Sequence, residues 1–180
     1  CMAWPDEEMY TFGERALIYF HAEKDLCITY RKMGSGTIKL EGSSDADFEV
    51  GPPITGYEFN LNGGASFSWS SKKMKSRALS TTGAELMGAS EATREAVHLI
   101  YLLEEKGFPQ DSPVVIKIDS TAAIAIAKDP VQHDTTKHLA RRHLYVRDMI
   151  AENVVIPEVV ASADNRSDIF TKPLPRNPFQ

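Results

Sequence analysis

The chain is poor in cysteine. It has two, Cys1 and Cys27, and no C-x-x-C pair. This excludes a disulfide framework, a zinc ribbon and a thioredoxin-like motif, and makes a reducing compartment the simpler expectation. Long apolar runs are also missing. The longest, Ala122 to Ala127, is far too short to cross a bilayer, so no membrane partner is expected. The first residues do not read as a secretory signal. The chain begins at Cys1, so a piece of a longer protein is expected. Internal repeats and low-complexity segments are absent. An excess of positive charge is missing too. The net charge of −5 opposes a general nucleic-acid binder, but leaves room for an enzyme whose acidic site is neutralised by metal ions.

The 180 residues suit one compact domain with room for an appendage. A helix is expected from about Glu8 to Ala22, then a short strand from Leu26 to Tyr30 and a turn or hinge at Gly34-Ser35-Gly36. The stretch "EGSSDADFEV" (41–50) places Glu41, Ser43, Asp45, Asp47 and Glu49 on one face of a strand, with Leu40, Ala46 and Phe48 opposite. Thr55–Asn62 alternates in the same way, with Tyr57, Phe59 and Leu61 against Glu58 and Asn60. Asn62-Gly63-Gly64 signals a hairpin, because these residues accept positive φ. Ala65–Lys73 then places Phe67 and Trp69 against Ser66, Ser68 and Ser70, with Trp69 expected in the core. A long helix starts near Ser80-Thr81-Thr82 and stops at Gly107. Its stripe is Leu86, Ser90, Thr93, Val97, Ile100 and Leu103. Val114–Asp119 reads as a buried strand leading into a helix, Thr121–Lys128, which Pro130 ends. A basic helix is expected over Lys137–Glu152 and an edge strand, with Pro157, over Val154–Ser162. A last helix covers Asp164–Thr171. This order implies an α/β fold, with a mixed five-stranded sheet flanked by helices.

Four acids stand at informative places on that frame: Asp45 in the first strand, Glu85 in the first turn of the long helix, Asp119 at the end of the fourth strand, and Asp168 in the last helix. If the first and fourth strands are parallel neighbours, Asp45 and Asp119 lie side by side. Clustered carboxylates resist burial unless cations join them, and magnesium takes oxygen ligands. Each acid also has a plain structural alternative. Asp45 and Asp47 suit a solvated face, and Glu85 suits a capping box begun by Thr82. Asp119 suits the cap of the next helix, and Asp168 the N-terminal turn of its own.

The stretches "SDAD", "GYEFNLNGGASFSWSSKKMKSRALSTTGAEL", "DSTAAIAIAKDP", "TKH" and "DIFTKPLPRNPF" resemble, in this order, the ribonuclease H domain of copia-type retrotransposon Pol polyproteins. Residues 10–31 resemble the segment after the reverse transcriptase of such proteins. The resemblance implies a lead-in over 1–36, a ribonuclease H-like domain over 37–172 with three antiparallel strands followed by parallel ones, and a tail over 173–180. It implies that Asp45, Glu85, Asp119 and Asp168 are the catalytic and metal-binding acids, holding two Mg²⁺ with Mn²⁺ as substitute. The expected reaction is hydrolysis of the RNA strand of an RNA–DNA hybrid during reverse transcription. The expected partners are that hybrid and the reverse transcriptase domain of the same polyprotein. The setting would be intracellular, in cytoplasmic retroelement particles, with nuclear access left open.

Lys72 and Lys73, in the basic run Lys72–Arg77, are candidates for phosphate contact, with a solvated loop as the alternative. Lys137 and Arg142, in the second basic stretch, match the family pattern and are further nucleic-acid candidates. Some ribonucleases H carry a histidine shortly before the last acid, but "ASADNRSD" has none. His133, His138 and His143 are spaced H-x4-H-x4-H, which does not keep one helical face, so they read as surface or interfacial histidines. Gly83 stands where the family usually has Glu, and the alternative function is a catalytically inactive structural or nucleic-acid-binding module.

Overall fold

The computed structural model describes residues 6–31, 36–48, 52–128 and 137–173, and the side chains of 137–140 and 143 lie outside that description. The chain forms two compact units, Cys1–Tyr30 and Arg31–Gln180. The first holds α1 (Glu7–Ala22), capped by the Asp6 carboxylate, which accepts from the Met9 N–H at 2.8 Å. No residue of α1 is buried, and Leu17 and Phe20 stand exposed. The strand expected at Leu26–Tyr30 is not formed. Its apolar residues suit a strand, but a strand also needs a neighbour to take its backbone hydrogen bonds.

The second unit is built on five strands. They are β1 (Leu40–Asp47), β2 (Ile54–Leu61), β3 (Ser66–Lys73), β4 (Val114–Ile118) and β5 (Val155–Val159), in the order β3-β2-β1-β4-β5. The first three pair antiparallel, and β4 and β5 run parallel to β1. Asn62 and Gly63 take φ of 54° and 71° and make the tight β2–β3 turn that Asn-Gly favours. Pro157 is tolerated because β5 is an edge strand. β5 is shorter than expected and ends at Val159.

The helices are α2 (Thr81–Glu105), α3 (Thr121–Lys128) and α4 (Lys137–Ala151). Ser80 caps α2, its hydroxyl accepting from the Gly83 N–H at 3.0 Å. Ala89, Ala92, Ala96, Leu99 and Leu103 of α2 form one cluster with Leu40, Phe59, Val114 and Ile116 of the sheet. The small residues bring helix and sheet close. Gly42 completes the fit, since a Cβ there would meet the Phe59 ring at 2.4 Å.

Two sequence expectations fail in informative ways. A bulge between Phe59 and Asn60 shifts the β2–β3 register. Phe67 packs against the core, but Trp69 pairs with Glu58 and is 50% exposed, so it is not a core residue. The α-helix expected at Asp164–Thr171 is instead two 3₁₀ turns, Ser162–Asp164 and Arg166–Phe170. Asn165 interrupts it, its side chain accepting from the Ser167 N–H at 3.2 Å and starting the second turn afresh.

Candidate metal centre

β1 continues past its partner β4. The parallel register ends at the pair Ser44–Ile118, while β1 runs on to Asp47. A gap therefore opens beside Asp45 and Ala46, at the carboxyl end of β4 where the strand order reverses. Asp119 follows β4 directly and stands at this gap. It does not cap α3, because the Ser120 hydroxyl accepts from the Ala123 N–H at 3.2 Å. Asp119 instead accepts from the Ser162 hydroxyl at 3.0 Å.

Asp45 is fully buried. It is covered by the second 3₁₀ turn, which several contacts fasten to the sheet. The Ser43 and Ser167 hydroxyls lie 2.6 Å apart, and the Asn165 side-chain amide donates to the Ser44 carbonyl at 3.1 Å. Ser71 donates to the Phe170 carbonyl at 2.6 Å. Arg166 reaches the Gly64 carbonyl at 3.1 Å and lies 3.8 Å from the Glu58 carboxylate. Gly56, the register partner of Asp45, makes this approach possible. A Cβ there would meet Phe170 at 2.7 Å and Thr171 at 2.9 Å.

The turn delivers Asp168, Thr171 and Lys172 together. Asp45, Asp119 and Asp168 each offer an oxygen within 4.8 Å of the other two. The Lys172 ammonium donates to Asp45 Oδ1 at 3.2 Å and to Asp168 Oδ1 at 3.1 Å. The Thr171 hydroxyl donates to Asp45 Oδ2. Burial raises the Asp168 carboxyl above its ordinary value, and the hydrogen bond from Lys172 opposes that rise. Burial pulls Lys172 down, but its bonds to Asp168 and Asp45 outweigh this and raise it.

Glu85 enters from the other side, on the second turn of α2, and is 6% exposed. Gly88, one turn on, lets α2 sit on β1, since a Cβ there would lie 3.0 Å from the Asp45 carbonyl oxygen. Glu85 is not the acid of a capping box, because Ser80 and not Thr82 caps the helix. Burial pushes its carboxyl from 4.5 to about 8, with Asp45 and then Asp119 adding to the rise. Its Oε2 is buried with no hydrogen-bond partner among the described residues.

Three converging carboxylates and an orphaned fourth oxygen fit a hard divalent cation, which takes oxygen ligands and offsets charge that burial leaves uncompensated. Of the four acids chosen from sequence, three form one cluster, and Glu85 stands close enough to feel two of them. Lys172 and Thr171 were missed. Their signal was the spacing D-x-x-T-K, which puts positions i, i+3 and i+4 on one turn.

The basic candidates are more dispersed. Lys72 and Lys73 are exposed at the end of β3. Lys73 pairs with Ile54, and Ile54 with Asp47, so Lys73 leaves the sheet on the face that carries Asp45. Arg142 lies 3.8 Å from Glu91 of α2, and its Nη1 is buried without a hydrogen-bond partner among the described residues. The Lys137, His138 and His143 side chains, and all of His133, lie outside the described residues.

No family model matches the chain. It is 34% identical over 180 residues to the retrovirus-related Pol polyprotein from transposon TNT 1-94 of Nicotiana tabacum, covering 98% of this chain. It is 31% identical over 183 residues to that from transposon RE2 of Arabidopsis thaliana, covering 99%. The chain belongs to the Pol polyproteins of copia-type retrotransposons. It spans 13% and 12% of the length of these two Pol polyproteins. Among solved structures, it resembles LC11-RNase H1, isolated from compost by a metagenomic approach. The TM-score is 0.58 at 16% identity, over 73% of this chain and 91% of that one. RNase H1 from Halobacterium salinarum gives a TM-score of 0.55 at 16% identity, over 73% of this Pol segment and 93% of that chain. The fold of this Pol segment is therefore ribonuclease H-like, with the mixed sheet expected from the element order.

Proposed function

We propose that this domain is a metal-dependent ribonuclease H that hydrolyses the RNA strand of RNA–DNA hybrids during reverse transcription of its element. The observation that carries this reading is the convergence of Asp45, Asp119 and Asp168 within 4.8 Å beside the orphaned Oε2 of Glu85. A ribonuclease H1 of the same fold has been solved in complex with an RNA/DNA hybrid, which supports the same substrate class here. Asp45 and Asp119 would hold the metal from the sheet, Glu85 from α2 and Asp168 from the 3₁₀ turn. The chemistry that magnesium supplies when bound is activation of a water and stabilisation of the leaving oxygen. Burial of Asp45 and Glu85 would keep bulk water from screening their attraction to the bound metal. Lys73 and Lys72 would contact backbone phosphates flanking the site. The reverse transcriptase region of the same polyprotein would be its natural partner in delivering the hybrid.

A second reading, a catalytically inactive module, is favoured by one observation: Lys172 and Thr171 already compensate Asp45. Cleavage of a labelled RNA–DNA hybrid with Mg²⁺ separates the two. The expected result is cleavage by the wild type and a loss in Asp119→Asn larger than the ~10–100-fold typical of removing a group that only supports a metal ligand. A folded wild type that leaves the hybrid intact, or equal rates in both, would sink the enzymatic reading.

A further inference from the structure

Asp45 is buried, yet neither of its oxygens is bare. One receives the Thr171 hydroxyl and the other the Lys172 ammonium. That ammonium bonds at the same time to Asp168, at 3.1 Å. It therefore bridges two of the three clustered carboxylates, through one oxygen of each. This is the arrangement a bridging cation would adopt. A magnesium ion needs carboxylate oxygens at about 2.0–2.1 Å. An ion and an ammonium on the same pair of oxygens would stand as like charges at close range, with too little water between them to screen the repulsion.

The lysine is built to leave. Its side chain is 34% exposed, while Asp45 is 0% and Asp168 14% exposed. The carboxylates are fixed by the sheet and by the seated turn, whereas Lys172 reaches them through a flexible four-carbon stem. The Lys172 N–H donates to the Asp168 carbonyl at 2.9 Å, so the backbone keeps its anchor when the side chain swings out.

We propose that Lys172 is a tethered cation that holds the metal site in its metal-free form and must be displaced for a metal ion to bind. Metal entry and Lys172 release are then one exchange of positive charge. The metal-free cluster stays folded because the ammonium neutralises it, and the site fills only when the free ion outcompetes a cation that is always present. This exchange rests on the metal-site reading above.

Binding of Mn²⁺ to the full chain, followed by calorimetry and by the paramagnetic signal of the free ion, tests it. Linkage between two ligands is reciprocal, so removing the competing ammonium raises metal affinity. Lys172→Gln is expected to bind Mn²⁺ at least ~5-fold more tightly than wild type. Its melting temperature should be lower without metal and rise further when metal is added. Lys172→Arg keeps the competing charge and should stay near wild-type affinity. In wild type, the side-chain ¹⁵N signal of Lys172 should show a bonded ammonium without metal and a solvent-exchanging one at saturating Mg²⁺. A lysine that merely braced the turn would make Lys172→Gln bind metal more weakly. That result, or equal affinity in a folded variant, overturns the exchange and leaves the metal site standing. Absence of Mn²⁺ binding in wild type and variant alike overturns both.

Discussion

Asp45 and Glu85 are buried carboxylates within one another's electrostatic influence, and their surroundings are opposite. On the side of the C-terminal 3₁₀ turn, Asp45 meets a hydroxyl and an ammonium. On the side of α2, Glu85 keeps one oxygen with no partner and its carboxyl is pushed up to about 8. Without metal, one half of the site is neutralised by a lysine and the other half by a proton. The difference comes from where each acid sits. The turn follows the site in sequence and brings its own side chains over β1. The first two turns of α2 contain no Lys, Arg or His, and Lys72, Lys73, Lys75 and Arg77, which precede the helix, are exposed. A metal ion would replace both substitutes at once.

The proton on Glu85 offers the largest effect. Its carboxyl holds a proton to about pH 8 when folded and releases it near 4.5 when unfolded. Between these values the folded state binds more protons, so stability must fall as pH rises from about 4.5 to about 8. The full loss across that window is on the order of 5 kcal/mol, at about 1.4 kcal/mol per unit. Denaturant unfolding of the metal-free protein at several pH values should show this slope. Glu85→Gln should flatten it and be the more stable protein at pH 8, and saturating Mg²⁺ should flatten it in wild type. Equal slopes in wild type and variant would mean that Glu85 is not the acid held neutral.

Gly56 tests the other half. Alanine there would place a Cβ within 2.7 Å of Phe170 and 2.9 Å of Thr171. Overpacking of this kind costs about 1–3 kcal/mol. The turn should lift, carrying Asp168 and Lys172 from Asp45, while α2 and Glu85 stay in place. Gly56→Ala should therefore melt earlier and bind Mn²⁺ more weakly, yet keep the pH slope that belongs to Glu85. Loss of that slope as well would show that the two halves are one cooperative unit.

These two halves were not equally legible in the sequence. The succession of elements, the Asn62-Gly63 hairpin and the Ser80 start of α2 rest on local periodicity and turn chemistry, which a sequence displays. Asp119 and Asp168 stand at a strand end and a helix start, whereas Asp45 shares its strand face with Glu41 and Asp47 and is singled out by chain order and the family resemblance. The polar face of β1 and β2 was misleading. Ser43, Glu58 and Asn60 look solvated by alternation, but they are buried under a turn more than 100 residues away in sequence. Trp69 was misplaced because one bulge residue exchanges the two faces of β3. Lys172 was hidden for the same reason as Glu58. A cation next to a carboxylate in space leaves no trace in hydrophobic period; the D-x-x-T-K spacing ties Lys172 to Asp168, but its bond to Asp45, 127 residues away, is seen only in the structure.

The smallest expected effect concerns the ground outside both halves. Lys73 is exposed on the face that bears Asp45 and Asp47, and it ends β3 where the sheet stops. Two strand spacings separate it from β1, about 10 Å, so it cannot belong to the acidic cluster. Under the proposed function, that distance would suit a phosphate next to the one cleaved. Lys73→Ala should leave melting temperature and metal affinity unchanged and weaken hybrid binding modestly. The slope of log affinity against log salt should shrink by about 0.7–0.9, the release of one counterion. Binding titrations from low to moderate salt measure it directly. An unchanged slope would make Lys73 a solvated end of an edge strand, where a lysine also serves to block strand pairing. The comparison between the halves would then need no basic flank, and hybrid affinity would have to come from elsewhere on the surface.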